Sequence, residues 1–444
     1  MAALEAGSDR ASWWDRPLAG FGWPRVLVCL AAAIVIAAFL WSYETSVAPL
    51  HSYIGYFWNP PPAEYTMLAA VLAWLPSLVI PLEFRKPSDL AVSLLYPTFV
   101  IPSAFLPFHV LKSPAPEMLP IVLVAHLGYW SLLLMWRTPG FRLQPPVVSR
   151  QFLMTALVMG TILCALAVAG ANGFRVNLSF VDLYERRLAA RESASAGVGY
   201  AMAFLASSFA PLCVAIGIEK KRPLLIGAGA FGIIAIFSFT GTKSSIFTPL
   251  LMMIILVIIG RPKNQQFKLL AWLAALMALG TLLWTQAQIM SLNNLLNYRM
   301  VASRGVGMTH YYKVFDGNQI NMGDSAFAPA FGIQPAPPKS FTVGSQYGYS
   351  EQDNYNAGIW AAGFANFGVL GVVLASVFAG LTLKLFDAFA ARGYRLTCFL
   401  MAGLVSVFWL DIGFENSLIT QGLVLTLPFL FFLVASKDRA EAHA

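Results

Sequence analysis

Thr309-His310-Tyr311-Tyr312-Lys313-Val314-Phe315 lies inside a stretch, Trp284 to Asn356, that is mostly polar, while nearly everything else in the chain is apolar run. The same stretch carries Arg299, Arg304, Asp316, Asp324, Glu351 and Asp353. A connection longer than about 15 residues with no obvious internal structure is usually functional or disordered. Its aromatic residues, glycines and mixed charge favour function. Outside it, the apolar runs are too long and continuous for barrel strands of about ten alternating residues, so they read as membrane-spanning helices.

Composition agrees. Of the 444 residues 58% are hydrophobic and 11% charged, and the mean hydropathy is +0.67. Soluble domains carry about 25% charged residues. Twelve spans are legible, at 25–43, 65–82, 89–107, 118–136, 151–171, 197–218, 223–241, 246–260, 269–286, 366–386, 396–411 and 418–436. They form one all-α polytopic membrane domain over 1–444, with an outer basic loop at 173–196 and a long outer loop at 287–355. Met1–Trp23 is too polar for a cleavable signal peptide, and the first apolar run has no clear cleavage site.

The formal charge of +8 is mostly a topology signal rather than a mark of nucleic-acid binding. Segments holding Arg10, Arg16 and Arg25, Arg85 and Lys86, Arg137, Arg142 and Arg150, and Lys220, Lys221 and Arg222 alternate with basic-poor ones. The set continues with Arg261, Lys263 and Lys268, then Lys384, Arg392 and Arg395, then Lys437 and Arg439. These are 19 of the 29 basic residues, so the positive-inside rule makes their segments, and both termini, cytoplasmic. The other 10 gather chiefly in the two outer loops, as Arg175, Arg186, Arg187 and Arg191 and as Arg299, Arg304, Lys313 and Lys339, with Lys112 and Lys243 apart. Membrane orientation does not account for outer arginines. A solvated loop surface would, and so would an anionic ligand such as a diphosphate, which the guanidinium fork grips in bidentate fashion.

Several chemistries lack candidates. No Lys, Arg, Asp or Glu lies deep within a span, which counts against an ion-coupled transporter. His126, near mid-span among Val, Leu and Tyr, reads as a helix-packing histidine. The five histidines do not pair at helical spacing and no Asp-x-Asp occurs, so neither metal nor other cofactor is expected. Cys29, Cys164, Cys213 and Cys398 sit in apolar runs and read as packing residues.

Four passages carry the remaining information. Ser179-Phe180-Val181-Asp182-Leu183-Tyr184-Glu185-Arg186-Arg187 places Asp182 and Arg186 one helical turn apart, as on an interfacial helix. Phe239-Thr240-Gly241-Thr242-Lys243-Ser244-Ser245 is a tight turn whose lysine could equally snorkel. The third runs from Tyr298-Arg299 to Phe315. The fourth is Asn356-Ala357-Gly358 with Ala365-Asn366-Phe367-Gly368-Val369-Leu370-Gly371, small residues that permit close packing, and Asn366 could bond a helix or a sugar hydroxyl.

In this order and topology, and with Pro87-Ser88-Asp89-Leu90, these passages resemble the Wzy-type oligosaccharide repeat-unit polymerases (O-antigen polymerases) from about 87 to 386. Position by position, the family's outer-loop basic residues fall on Arg187, Lys243 and Arg299, and its paired tyrosines on Tyr311 and Tyr312. The Arg-x10-Gly pattern described for some members fits Arg186 to Gly197, whereas Arg304 to Gly317 is longer by two residues.

The resemblance implies a GT-C-like glycosyltransferase of the bacterial inner membrane with a periplasmic active face. Its substrate would be an undecaprenyl-diphosphate-linked oligosaccharide, its surroundings membrane lipids, and its partner a chain-length regulator protein. Arg187, Lys243 and Arg299, then Arg186 and Arg304, are the candidates for the diphosphate. His310 is the candidate base, with Glu351, Asp353, Asp316 and Asp411 as competitors. Tyr347, Tyr349, Tyr355 and Trp360 could stack on sugars or anchor at the interface. An O-antigen ligase-like transferase and a lipid-linked oligosaccharide flippase are the other readings.

Overall fold

The computed structural model describes residues 22–436 apart from 142, 145, 147, 180–184, 188, 191–194, 242, 326–327 and 349–352, and it describes no side chain at 243, 244 and 246. Every regular element among the described residues is helical. Eight helices are long and apolar enough to cross a membrane: α1 (Trp23–Ile54), α3 (Pro87–His109), α4 (Ala115–Arg137), α5 (Arg150–Ala171), α6 (Ala196–Glu219), α7 (Pro223–Thr240), α9 (Gln265–Ala287) and α12 (Gly358–Ala390). That is the pattern of a multi-pass membrane protein.

The other four runs read as spans coincide with shorter apolar helices: α2 (Ala63–Leu78), α8 (Lys243–Ile259), α13 (Arg395–Phe408) and α15 (Leu423–Leu433). Pro76 turns the end of α2 into a 3-10 turn, and Pro249 and Pro428 lie inside α8 and α15.

The residues of the basic-rich segments meet at one end of the bundle. Asp89 accepts from the backbone N–H groups of Arg85 and Lys86 at 2.9 and 3.1 Å, and from Trp136 Nε1 at 2.9 Å. Asp387 of α12 accepts from Ser88 Oγ at 2.7 Å and pairs with Lys86 at 3.4 Å. Arg25 donates to Ser77 and Ile80, Glu219 accepts from Thr397, and Arg150 donates to Ser436. The opposite end gathers the other set: Lys313 meets Glu117, and Tyr56 meets Tyr355. The alternation of charge along the sequence is thus a segregation in space.

Much of the long polar stretch is helical. It folds as a π-helical run, Asn294–Ala302, that continues into α10 (Ser303–Phe315), and then as α11 (Lys339–Tyr347). Every residue from Gly305 to Tyr311 is buried, packed between α3 and α12. Polar residues can enter because their donors find acceptors. Asn297 Nδ2 donates to Met277 O, Thr281 Oγ1 and Asn293 Oδ1, while Ser46 donates to the same Asn293 oxygen. A Cβ on Gly305 would lie 2.5 Å from the carbonyl carbon of Pro102, so only glycine lets α10 approach α3 this closely.

α12 is two arms rather than one rod. Phe367 and Gly368 leave helical geometry, and Gly368 takes a left-handed φ of 60°. The arms fold against each other. Trp360 Nε1 donates to Ser376 Oγ at 2.8 Å, and a Cβ on Gly371 would stand 1.8 Å from the Gly363 carbonyl oxygen. The carbonyls left unpaired at the break accept from Ile320 N and Asn321 N at 2.9 and 3.0 Å, so the polar stretch completes the broken helix.

Candidate functional site

The expected site residues scatter over one end of the bundle and divide into committed and exposed groups. Arg186 is committed: its guanidinium donates to the carbonyls of Asn177, Ser179 and Ser238 and lies 5.6 Å from the Phe237 ring. Its neighbour Arg187 is exposed. Tyr184 and Glu351 lie outside the described residues, as does Tyr349, and no side chain is described for Lys243, so those expectations have no structural counterpart here.

Arg299 is exposed on the π-helical run, and no carboxylate among the described residues pairs with it. Beside it in sequence, the Tyr298 ring stacks on His51 at 3.8 Å and meets Tyr56 edge-on at 5.3 Å. Arg186 and Arg299 therefore rest on different elements, the end of α7 and the flank of α1.

His310 departs most from its expected role. Its side chain has no exposure, neither ring nitrogen has a hydrogen-bond partner among the described residues, and the ring stacks on Tyr347 at 4.1 Å. Burial pushes its pKa down to about 3. A base must touch the proton it takes, and this imidazole touches rings instead. Tyr311 is buried and donates to the Tyr355 carbonyl at 2.9 Å, while Tyr312 is partly exposed and stacks on Phe364 at 4.6 Å. Trp360 is buried against Phe99, so it is a packing residue. Of the competing acids, Asp316 is exposed, Asp353 is partly exposed, and Asp411 is engaged by Arg304.

Two ionic clusters, invisible in the sequence, join the polar stretch to the turns that follow α13. In the first, Lys339 at the start of α11 contacts Asp324 at 2.8 Å and Glu415 of α14 (Phe414–Leu418) at 2.5 Å. All three side chains are under a tenth exposed. Asn366 belongs to this cluster, donating to Glu415 at 3.4 Å and accepting from Met322 N at 3.2 Å, so its amide is spent inside the protein. Burial pulls the Lys339 ammonium down, and the Glu415 and Asp324 carboxylates more than offset it, leaving its pKa raised.

In the second, Arg304 at the start of α10 holds Asp411 with both terminal nitrogens and also donates to the Leu410 carbonyl at 3.2 Å. The Arg304 side chain is 11% exposed and that of Asp411 48%. Nothing but the distance along the chain separated these pairs from any other acid and base; a tertiary contact over 76 or 107 residues leaves no local signal. Among the described residues no group of three or more His, Cys, Asp or Glu side chains is placed to hold a metal ion.

Comparison with protein-family models, with curated proteins and with solved structures finds no match to this chain.

Proposed function

We propose that this chain is a polymerase of lipid-linked oligosaccharide repeat units, a twelve-span, GT-C-like glycosyltransferase of the bacterial inner membrane. The basic end faces the cytoplasm and the end bearing Arg187, Arg299 and Arg304 faces the periplasm. The observation that carries the reading is Arg299, exposed beside an aromatic cluster and unpaired with any described carboxylate. The ordered motifs of the sequence supply the reaction class.

The reaction transfers a glycan from undecaprenyl diphosphate to a sugar hydroxyl of the next repeat unit. The bond from the anomeric carbon to the diphosphate oxygen breaks, a glycosidic bond forms, and the acceptor hydroxyl loses its proton. Negative charge grows on the leaving diphosphate. A fixed cation there stabilises the transition state more than the ground state, by roughly 2.7–4 kcal/mol for comparable groups. Arg299 and Arg187 fill that role. Lys243 and Arg304 support substrate binding, while Arg186, spent on the carbonyls of Asn177, Ser179 and Ser238, shapes the loop that carries Arg187; a good leaving group makes a strong base unnecessary. His310 has no proton-transfer role in this packing.

Deleting the gene and examining the surface glycan tests the class. Loss of long chains with single repeat units retained is the expected result; unchanged long chains would refute it. Orientation is checked separately. Cysteine placed at Gly317 should react with an impermeant thiol reagent in intact cells, and cysteine at Asn264 only after lysis.

A further inference from the structure

The two ionic clusters at the α13–α14 corner differ in a way that has a chemical consequence. Lys339 and its two carboxylates are shut in on every side. Arg304 is nearly as buried as Lys339, yet the acid it holds is half exposed. Among the described residues, Asp411 is the one carboxylate paired with the Arg304 fork, and it half faces solvent.

Arg304 is also held independently of that acid. Gly305 seats the first turn of α10 on the backbone of Pro102 and Ser103, and one guanidinium nitrogen donates to the Leu410 carbonyl. The fork keeps its position if the carboxylate leaves. Asp411 itself stands in a turn, Trp409-Leu410-Asp411-Ile412-Gly413, between two helices, where no regular hydrogen-bond ladder fixes its side chain. A carboxylate gripped by two guanidinium nitrogens presents the same geometry as a phosphate gripped there. The guanidinium Nε is buried and unpartnered, so the cation has a donor still to satisfy.

The geometry points to Arg304 as a phosphate-binding fork that the chain occupies with its own Asp411, an internal competitor that a phosphate or diphosphate group displaces. Only the identity of the natural ligand, a lipid diphosphate, rests on the polymerase reading. Displacement exchanges one anion for another at a fixed cation, so the buried charge is never left alone. The displaced carboxylate moves into the solvent it already half faces. Lys339 offers no such exchange, because releasing Glu415 or Asp324 would strand a charge inside the protein.

The test uses the purified full chain with inorganic pyrophosphate as probe, following phenylglyoxal modification of Arg304 by peptide mass spectrometry. Pyrophosphate should slow modification at Arg304, and Asp411→Asn should tighten its apparent affinity at least fivefold (about 1 kcal/mol). Adding Arg304→Lys to Asp411→Asn should abolish the gain. A purely structural pair gives the opposite pattern: Asp411→Asn lowers Tm and leaves pyrophosphate affinity unchanged. That result overturns the proposal. So does absence of pyrophosphate protection in the unsubstituted chain, which needs no variant to fold. Nanodiscs of phosphatidylcholine and of phosphatidylglycerol separate the sources of phosphate. If phosphatidylglycerol alone protects Arg304 as fully as pyrophosphate does, the fork reads a bilayer headgroup and the diphosphate assignment falls. Pyrophosphate binding requires no glycan transfer. An unchanged surface glycan in the deletion strain would remove the polymerase reading and leave this site standing.

Discussion

Lys339 and Arg304 make similar contacts: each is a cation from the polar stretch that meets an acid just past α13, Glu415 at the start of α14 and Asp411 in the turn before it. Their surroundings make them different objects. Around Lys339 all partners are buried, so the cluster carries two carboxylates against one ammonium in a medium that penalises unpaired charge. Around Arg304 the acid faces solvent, so water screens the pair and its net contribution to stability is small. Burial of the anion, not the length of the hydrogen bond, decides which cluster fastens the fold and which is free to trade partners.

The largest effect that separates them is Lys339→Met. Removing the only cation from a buried cluster should cost about 3–5 kcal/mol, read as a fall in Tm and in membrane abundance. Adding Glu415→Gln should recover part of it, because one stranded charge is then gone. If Lys339→Met leaves Tm unchanged, the cluster is not a fastener and the contrast with Arg304 collapses.

His310 sharpens the comparison with a buried group whose ring nitrogens have no hydrogen-bond partner among the described residues. Its folded pKa lies near 3, below the ordinary 6.5, so it folds as the neutral ring. The unfolded chain binds the extra proton as the pH falls through 6.5, and stability is lost progressively between there and about 3. By pH 4.5 the loss from this residue should reach about 2–3 kcal/mol. Denaturation at pH 7 and pH 4.5 should show His310→Phe losing less stability over that interval than the native sequence does. Equal losses in both would mean that the ring is not kept neutral by burial.

Arg299 supplies the next smaller effect. Lysine keeps the charge and loses the fork. Arg299→Lys should leave abundance near normal and lower polymerisation at least tenfold, about 1.4 kcal/mol of transition-state stabilisation. Normal long-chain glycan from well-expressed Arg299→Ala would remove Arg299 from the site. The smallest effect on stability belongs to the half-open pair: Asp411→Asn should lower Tm less than Lys339→Met does in the same thermal scan, because the acid it removes already half faces solvent.

Apolar runs that demand helix, and a charge alternation that sorts their connections into two sets, are properties of composition along the chain. The sequence by itself therefore determined the helical membrane class, the approximate span positions and the segregation of Arg85, Lys86, Asp387 and their neighbours to one end, away from Lys313 and Glu117. Hydrophobic length and charge bias need no knowledge of which helix touches which. Three things were decided only in three dimensions. The stretch around His310 reads as a polar loop because its residues are hydrogen-bonding ones, yet Asn297 buries against acceptors on α9, Tyr311 against the Tyr355 carbonyl and Thr309 against Gly305 of its own helix. The break at Phe367–Gly368 hides inside an apolar run, since Ile320 and Asn321, far back in the chain, pair the carbonyls it exposes. Glu415 reaches Lys339, and Asp411 reaches Arg304, across 76 and 107 residues of chain. Whether a charged side chain is a surface residue, a fastener or a ligand fork depends on the dielectric its partners create around it, and that is a property of the packed molecule alone.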